Sequence, residues 1–231
     1  MARAWAEPLE RREEMLLAAQ QHDVGWTSWE QRPTFNPQTG LPHSFLELET
    51  RAHLQIWSGA ARLVEPACAL AALLVSRHGT GLYERYHGDD DPASVKPLVR
   101  KYLSSERSMQ EAMLAKVRSL PTGGAPIDEA WLNRASALIA AWDWLSLIVC
   151  MNDVQRASLR DVPWDDRRLG IEAMREDEAR WRISPWVFAG RDLKVVTEGR
   201  LMPSPARDEA TMRSMLNAAE IVRLEIVLVS G

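Results

Sequence analysis

Apolar residues recur at helical spacing through the first two thirds of the chain, and polar, proline-rich stretches separate the runs. The run "EPLERREEMLLAAQQH", Glu7 to His22, has acidic residues and Pro8 near its start and apolar residues after them, which predicts a helix with a dipole-compatible N-terminus. A second helix is expected from Glu49 to Val64. A third starts with Pro66 in its first turn and ends near Gly79 or Gly81. A long polar helix over 93–119, kinked at Pro97, is stopped by "PTGGAP" at 121–126. The helix from Asp128 to Asn152 is apolar on nearly all sides and belongs at the centre of the fold. Residues 31–43, "QRPTFNPQTGLPH", read as a long irregular loop, and "GDDDPAS" at 88–94 as a solvated loop that also caps a helix.

Beyond Arg160 the texture changes. "WVFAG", "LKVVTEGRLM" and the terminal "EIVRLEIVLVS" are rich in β-branched residues with partial alternation, and a short helix at Asp208 to Ala218 interrupts them. The expected fold is therefore mainly α. A helical body over 1–158 carries a small β-rich (α+β) extension over 159–231, packed on the body and not an independent domain. An exposed terminal strand of this kind would pair with a second copy, so a homodimer is expected.

Composition narrows the class without naming an activity. Hydrophobic residues at 46% and charged residues at 26% are ordinary for a globular chain, and a net charge of -4 offers no footprint for nucleic acid. Cys68 and Cys150 sit in apolar runs, which suits buried thiols in a reducing compartment. The opening "MARAWAEPLERREEM" has no apolar core of a secretory signal, and the longest apolar stretch is broken by Asp143. A cytoplasmic protein with no membrane partner is expected. Ten tryptophans are the one oddity, most of them expected in the core.

Candidate chemistry lies in polar residues inside apolar segments. His22 and Asp23 are adjacent, so on a continuing helix they would point about 100° apart, and a bend at Val24-Gly25 would let them converge. They are either a ligand pair or a polar helix end in which Asp23 caps the next turn. His78 ends an apolar run and lies on a buried face, or answers the helix dipole there. Asp143, between Trp142 and Trp144, would cost on the order of a few kcal/mol if unpaired. Its partner is a metal, a histidine, a helix terminus, or an arginine such as Arg77 or Arg134. His53 falls mid-helix as a surface or supporting residue, and His43 and His87 fall in loops.

The phrases "HDVGWTSWEQRPTFNPQTGLPHSF", "LLVSRHGTGLY" and "AAWDWLSLIVC" resemble an uncharacterised bacterial family, domain-of-unknown-function family 3891, over about residues 18 to 230. The order of His22-Asp23 and then Asp143 also resembles the ligand order of the HD superfamily of metal-dependent phosphohydrolases, which are all-α bundles. That likeness implies an HD-like helical bundle and an earlier histidine as first ligand, ahead of the first helix. Family members usually carry such a histidine upstream, and the sequence opening at "MARAW" does not show it, so either the start was placed too late, the site here is incomplete and its metal absent, or His78 or His53 serves as the ligand.

The chemistry implied is a divalent transition metal (Fe, Mn, Zn, Ni or Co) held by His22, Asp23, His78 and Asp143. Asp23 and Asp143 would act in catalysis on a small phosphorylated molecule, with water activated for in-line attack. Trp26 and Trp29 would wall the pocket, Arg32, Arg51 and Arg77 would hold phosphate, and His53 would stand behind the ligands. The alternative is a helical binding or interaction protein whose His/Asp cluster is a structural polar network.

Overall fold

The computed structural model describes residues 1–88, 91–119, 127–151 and 153–231. In chain order the elements are α1 (Arg12–Gln21), α2 (Thr27–Glu30), β1 (Phe35–Asn36), β2 (Leu41–Pro42), α3 (Thr50–Val64), α4 (Ala69–Tyr86) and α5 (Lys96–Ser119). They continue with α6 (Glu129–Cys150), β3 (Arg156–Trp164), β4 (Arg167–Asp177), β5 (Arg180–Ser184), β6 (Asp192–Arg200), α7 (Glu209–Ala218) and β7 (Ile221–Ser230). Two compact units interleave along the chain. A helical unit comprises Gln21–Thr122 and Gly199–Val222, and a sheet unit comprises Met1–Gln20, Gly123–Glu198 and Arg223–Gly231.

In the helical unit, α3 buries Leu54, Trp57, Ala60, Ala61 and Val64, a stripe at helical period, and α4 packs between α3 and α5. α4 is buried nearly all round from Ala69 to Ser76, and again at His78, Gly79, Thr80 and Tyr83. It begins at Ala69, not Pro66, because the Cys68 sulfur accepts the Ala71 N–H at 3.4 Å and starts the helix there. It also runs through Gly79 and Gly81 to Tyr86. A Cβ at Gly79 would lie 2.7 Å from the Tyr102 hydroxyl and 2.9 Å from Trp57 Cε3, so this glycine permits close packing and does not end the helix. Pro97 is the second residue of α5, where its missing N–H has no helical partner to lose; it opens the helix instead of kinking it. The 31–43 loop contains the small antiparallel hairpin β1–β2. The "PTGGAP" stop, Asp89 and Asp90 of the charged loop, and Asn152 lie outside the described residues.

In the sheet unit, α6 starts where the Asp128 side chain accepts the Trp131 N–H at 2.7 Å, and it packs on β3. The five strands run in the order β3-β4-β5-β7-β6. β3–β4 and β4–β5 are antiparallel, and β5–β7 is parallel. Asp165, at φ 47°, and Asp166 form the tight turn between β3 and β4. Val162, Ile171, Ala173, Trp181, Ile183 and Leu228 are buried, and Trp5 meets Trp142, Trp164 and Phe188 edge to face. Residues 1–11 form no helix continuous with α1: Arg11 has φ 48°, and Glu7 is buried between Arg134 and the backbone N–H of Asp165.

Three expectations are corrected. The fold is α+β, not mainly α: the described residues are 51% helical and 23% strand, so the architecture is not an all-α HD-like bundle. The sheet begins at Arg156, in strands such as "RRLGIEAMRED" whose charges mask their alternation. The terminal strand β7 lies inside the sheet, between β5 and β6, so both its edges are taken and it is not free to pair with another chain. Finally, Cys150, the last residue of α6, is exposed, and Cys68 is half-buried at a helix cap. No helix of the described residues is long and apolar enough to cross a membrane.

Candidate functional site

His22 and Asp23 stand where α1 gives way to a 3-10 turn, Val24–Trp26. The turn lies directly against α3: a Cβ at Gly25 would sit 2.4 Å from the Ile56 carbonyl oxygen, so only glycine fits. The changed backbone path brings the two side chains together, with His22 Nε2 3.1 Å from Asp23 Oδ2. Asp23 makes no side-chain capping bond to the turn, so its carboxylate serves His22 and not the turn after it. Burial pushes the Asp23 carboxyl up. The His22 hydrogen bond and the imidazoles of His22, His78 and His53 outweigh it and hold the carboxyl below its ordinary value. The side chain is 54% exposed, so water screens much of this effect.

His78, on α4, is buried, and its ring crosses that of His22 at 5.1 Å with planes at 89°. Each offers a ring nitrogen, the two within 4.8 Å of one another. Trp57 backs His78 at 5.6 Å. If the Nε2–H of His22 donates to Asp23, Nδ1 carries the lone pair, the arrangement of a histidine ligand oriented by a carboxylate behind it.

Around this pair the predicted residues divide. Trp26 is buried against Trp29 at 5.7 Å and His53 at 5.2 Å, and Trp29 is half-buried. Arg32 and Arg51 are exposed and form no ion pair among the described residues. Arg77 is half-buried on α4. It precedes His78 and so points about 100° away from it around the helix. Asp143 is half-buried on α6, in the sheet unit, where Ser146 Oγ donates to its backbone oxygen at 2.8 Å. Arg134, one expected partner of Asp143, is engaged by Glu7 and the Asp165 carbonyl.

His53 belongs to a chain of contacts not anticipated from the sequence. Its Nδ1 meets the Tyr83 hydroxyl, Tyr83 stacks on His87 at 4.8 Å, and His87 Nδ1 lies 3.1 Å from Asp91. Burial, with His87 adding to it against Asp23, lowers the His53 pKa, and burial raises that of Tyr83. The spacing Tyr83, His87, Asp91, each four apart, was the available signal. A second unanticipated feature is the seam between α4 and α5. Ser76 Oγ donates to buried Glu106 at 2.7 Å, and Gln110 Nε2 donates to Ser76 at 2.9 Å and to Thr80 at 3.2 Å. His43 bonds Thr34 in the β1–β2 hairpin.

These features define an α+β protein whose helical unit gathers histidines and a carboxylate against an aromatic wall. The chain belongs to the family described as protein of unknown function, DUF3891, whose model matches residues 1–204. No curated protein and no solved structure gives a significant match.

Proposed function

We propose that this protein is a metal-dependent phosphoester hydrolase in which His22 and His78 bind one divalent transition metal. The observation that carries the reading is the approach of these two imidazoles, with Asp23 behind the first and Trp57 behind the second. The donor set fits such an ion: imidazole suits Fe, Mn, Co, Ni and Zn, and the two rings offer nitrogens within 4.8 Å of one another. A bound ion of this class lowers the pKa of water and polarises a phosphoryl oxygen. Asp23 fixes the His22 ring through Nε2, and the exposed guanidiniums of Arg32 and Arg51, with no acidic partner among the described residues, are available for phosphate.

The deciding experiment measures metal content after chelator-free purification, then turnover of p-nitrophenyl phosphate and its bis-ester with Mn, Fe, Co, Ni or Zn. Stoichiometric metal and turnover, both lost in H22A and H78A, support the reading. Less than about a tenth of an equivalent of metal after reloading, with no turnover, overturns it. The second reading, a binding protein with a structural polar network, is supported by the Ser76–Glu106–Gln110 seam, where the helical unit buries hydrogen-bonded polar side chains between two helices. It gains if D143N costs stability and leaves phosphatase turnover unchanged.

A further inference from the structure

We infer that this chain forms a two-fold dimer by antiparallel pairing of β6 with β6 of a second copy, centred on Val196. β6 is a terminal strand of the five-stranded sheet, and Asp192–Arg200 makes no backbone hydrogen bond beyond its sheet pairing among the described residues. Its unpaired flank is a template for another strand. The opposite edge, β3, is blunted by Pro163 and by a bulge between Leu159 and Val162 beside Asp161 at φ 62°. β6 contains no proline.

The occupant is set by charge. The exposed face of β6 reads Asp192, Lys194, Val196, Glu198, Arg200. Two antiparallel strands related by a two-fold axis keep their faces, so each residue meets one of the same parity. With the axis at Val196, Asp192 faces Arg200, Lys194 faces Glu198, and Val196, 42% exposed, faces itself. Moving the axis one residue back sets Asp192 against Glu198, and moving it one residue on sets Lys194 against Arg200. A further step either way sets Lys194 against Lys194 or Glu198 against Glu198. Like charges directly opposite are unfavourable, so one register stands out and the partner it fits is this same strand. Lys194 also pairs within the chain to Glu225 at 2.5 Å, and Arg200 Nη1 donates to the carbonyls of Leu216 and Ala219, leaving its other N–H groups for Asp192.

Sedimentation equilibrium of the full chain tests this. A mass twice 26.1 kDa is expected. E198K, which sets lysine against Lys194, weakens association at least about tenfold. An equimolar mixture of E198K with K194E restores dimers, because each charge then finds its opposite. In a C150S background, which removes the exposed native thiol, V196C forms an intermolecular disulfide on mild oxidation. A wild-type chain that stays monomeric at about 100 µM overturns the inference. So does a dimer indifferent to E198K, or one in which V196C does not cross-link.

Discussion

His22 and Asp23 are sequence neighbours that a continuous helix would splay apart, and Gly25 is the reason they converge: only a residue without a Cβ lets the following turn lie on the Ile56 carbonyl. In the proposed metal site Asp23 would act through His22, so D23N should lower metal affinity about 10–100-fold, read by competition with a chromophoric chelator, while the unfolding midpoint moves little. The pH dependence has two parts. If His22 and His78 hold the proposed ion, metal affinity should fall as the imidazoles protonate below about pH 6, and binding unchanged at pH 5 would contradict a histidine site. In the metal-free chain, Asp23 has a folded pKa below its ordinary value. Its contribution is therefore present above that ordinary value and is lost as pH falls through the folded one. At Gly79, a Cβ would collide with Tyr102 and Trp57, so G79A should destabilise the chain by about 1–3 kcal/mol in urea unfolding and shift the ring of neighbouring His78.

At the scale of elements, the legible features were those with local causes. The places of α3, α6 and α7 could be read from spacing and residue type, each beginning within a residue of the expected position, and Asp128 and Asp208 cap the last two. D128A should cost about 0.5–2 kcal/mol of stability by removing the bond to the Trp131 N–H. The seam between α4 and α5 was not legible, because Ser76, Glu106, Gln110 and Thr80 read as ordinary polar positions until two helices meet. Burial raises the Glu106 pKa against the Ser76 hydrogen bond and Arg62. The folded state therefore holds this proton to higher pH than the unfolded chain, and stability declines as pH rises from the ordinary glutamate value through the folded one. E106Q keeps an acceptor for Ser76 and removes that charge, so its urea-unfolding stability should lose this slope and be no lower than wild type above it.

For the molecule as a whole, an ion bound only by the folded helical unit adds stability by mass action: about 2.7 kcal/mol when free metal is a hundredfold above its dissociation constant. A chelator should reverse the gain, and H78A should show none. The sequence by itself determined the presence of the helices from Thr50 onward, though not the ends of α4 or the straight start of α5, the β-rich character of the C-terminal region, family membership and the residues His22, Asp23 and His78 as candidates, because periodicity and motif words are local properties of the chain. Only the tertiary structure decided that the fold is α+β, that β7 is internal while β6 is the edge, and that His22 meets His78. Strand order and ring contacts join residues tens of positions apart, and packing selects them: the space that Gly25 and Gly79 leave open, and the apolar side chains that α3, α4 and the sheet must bury.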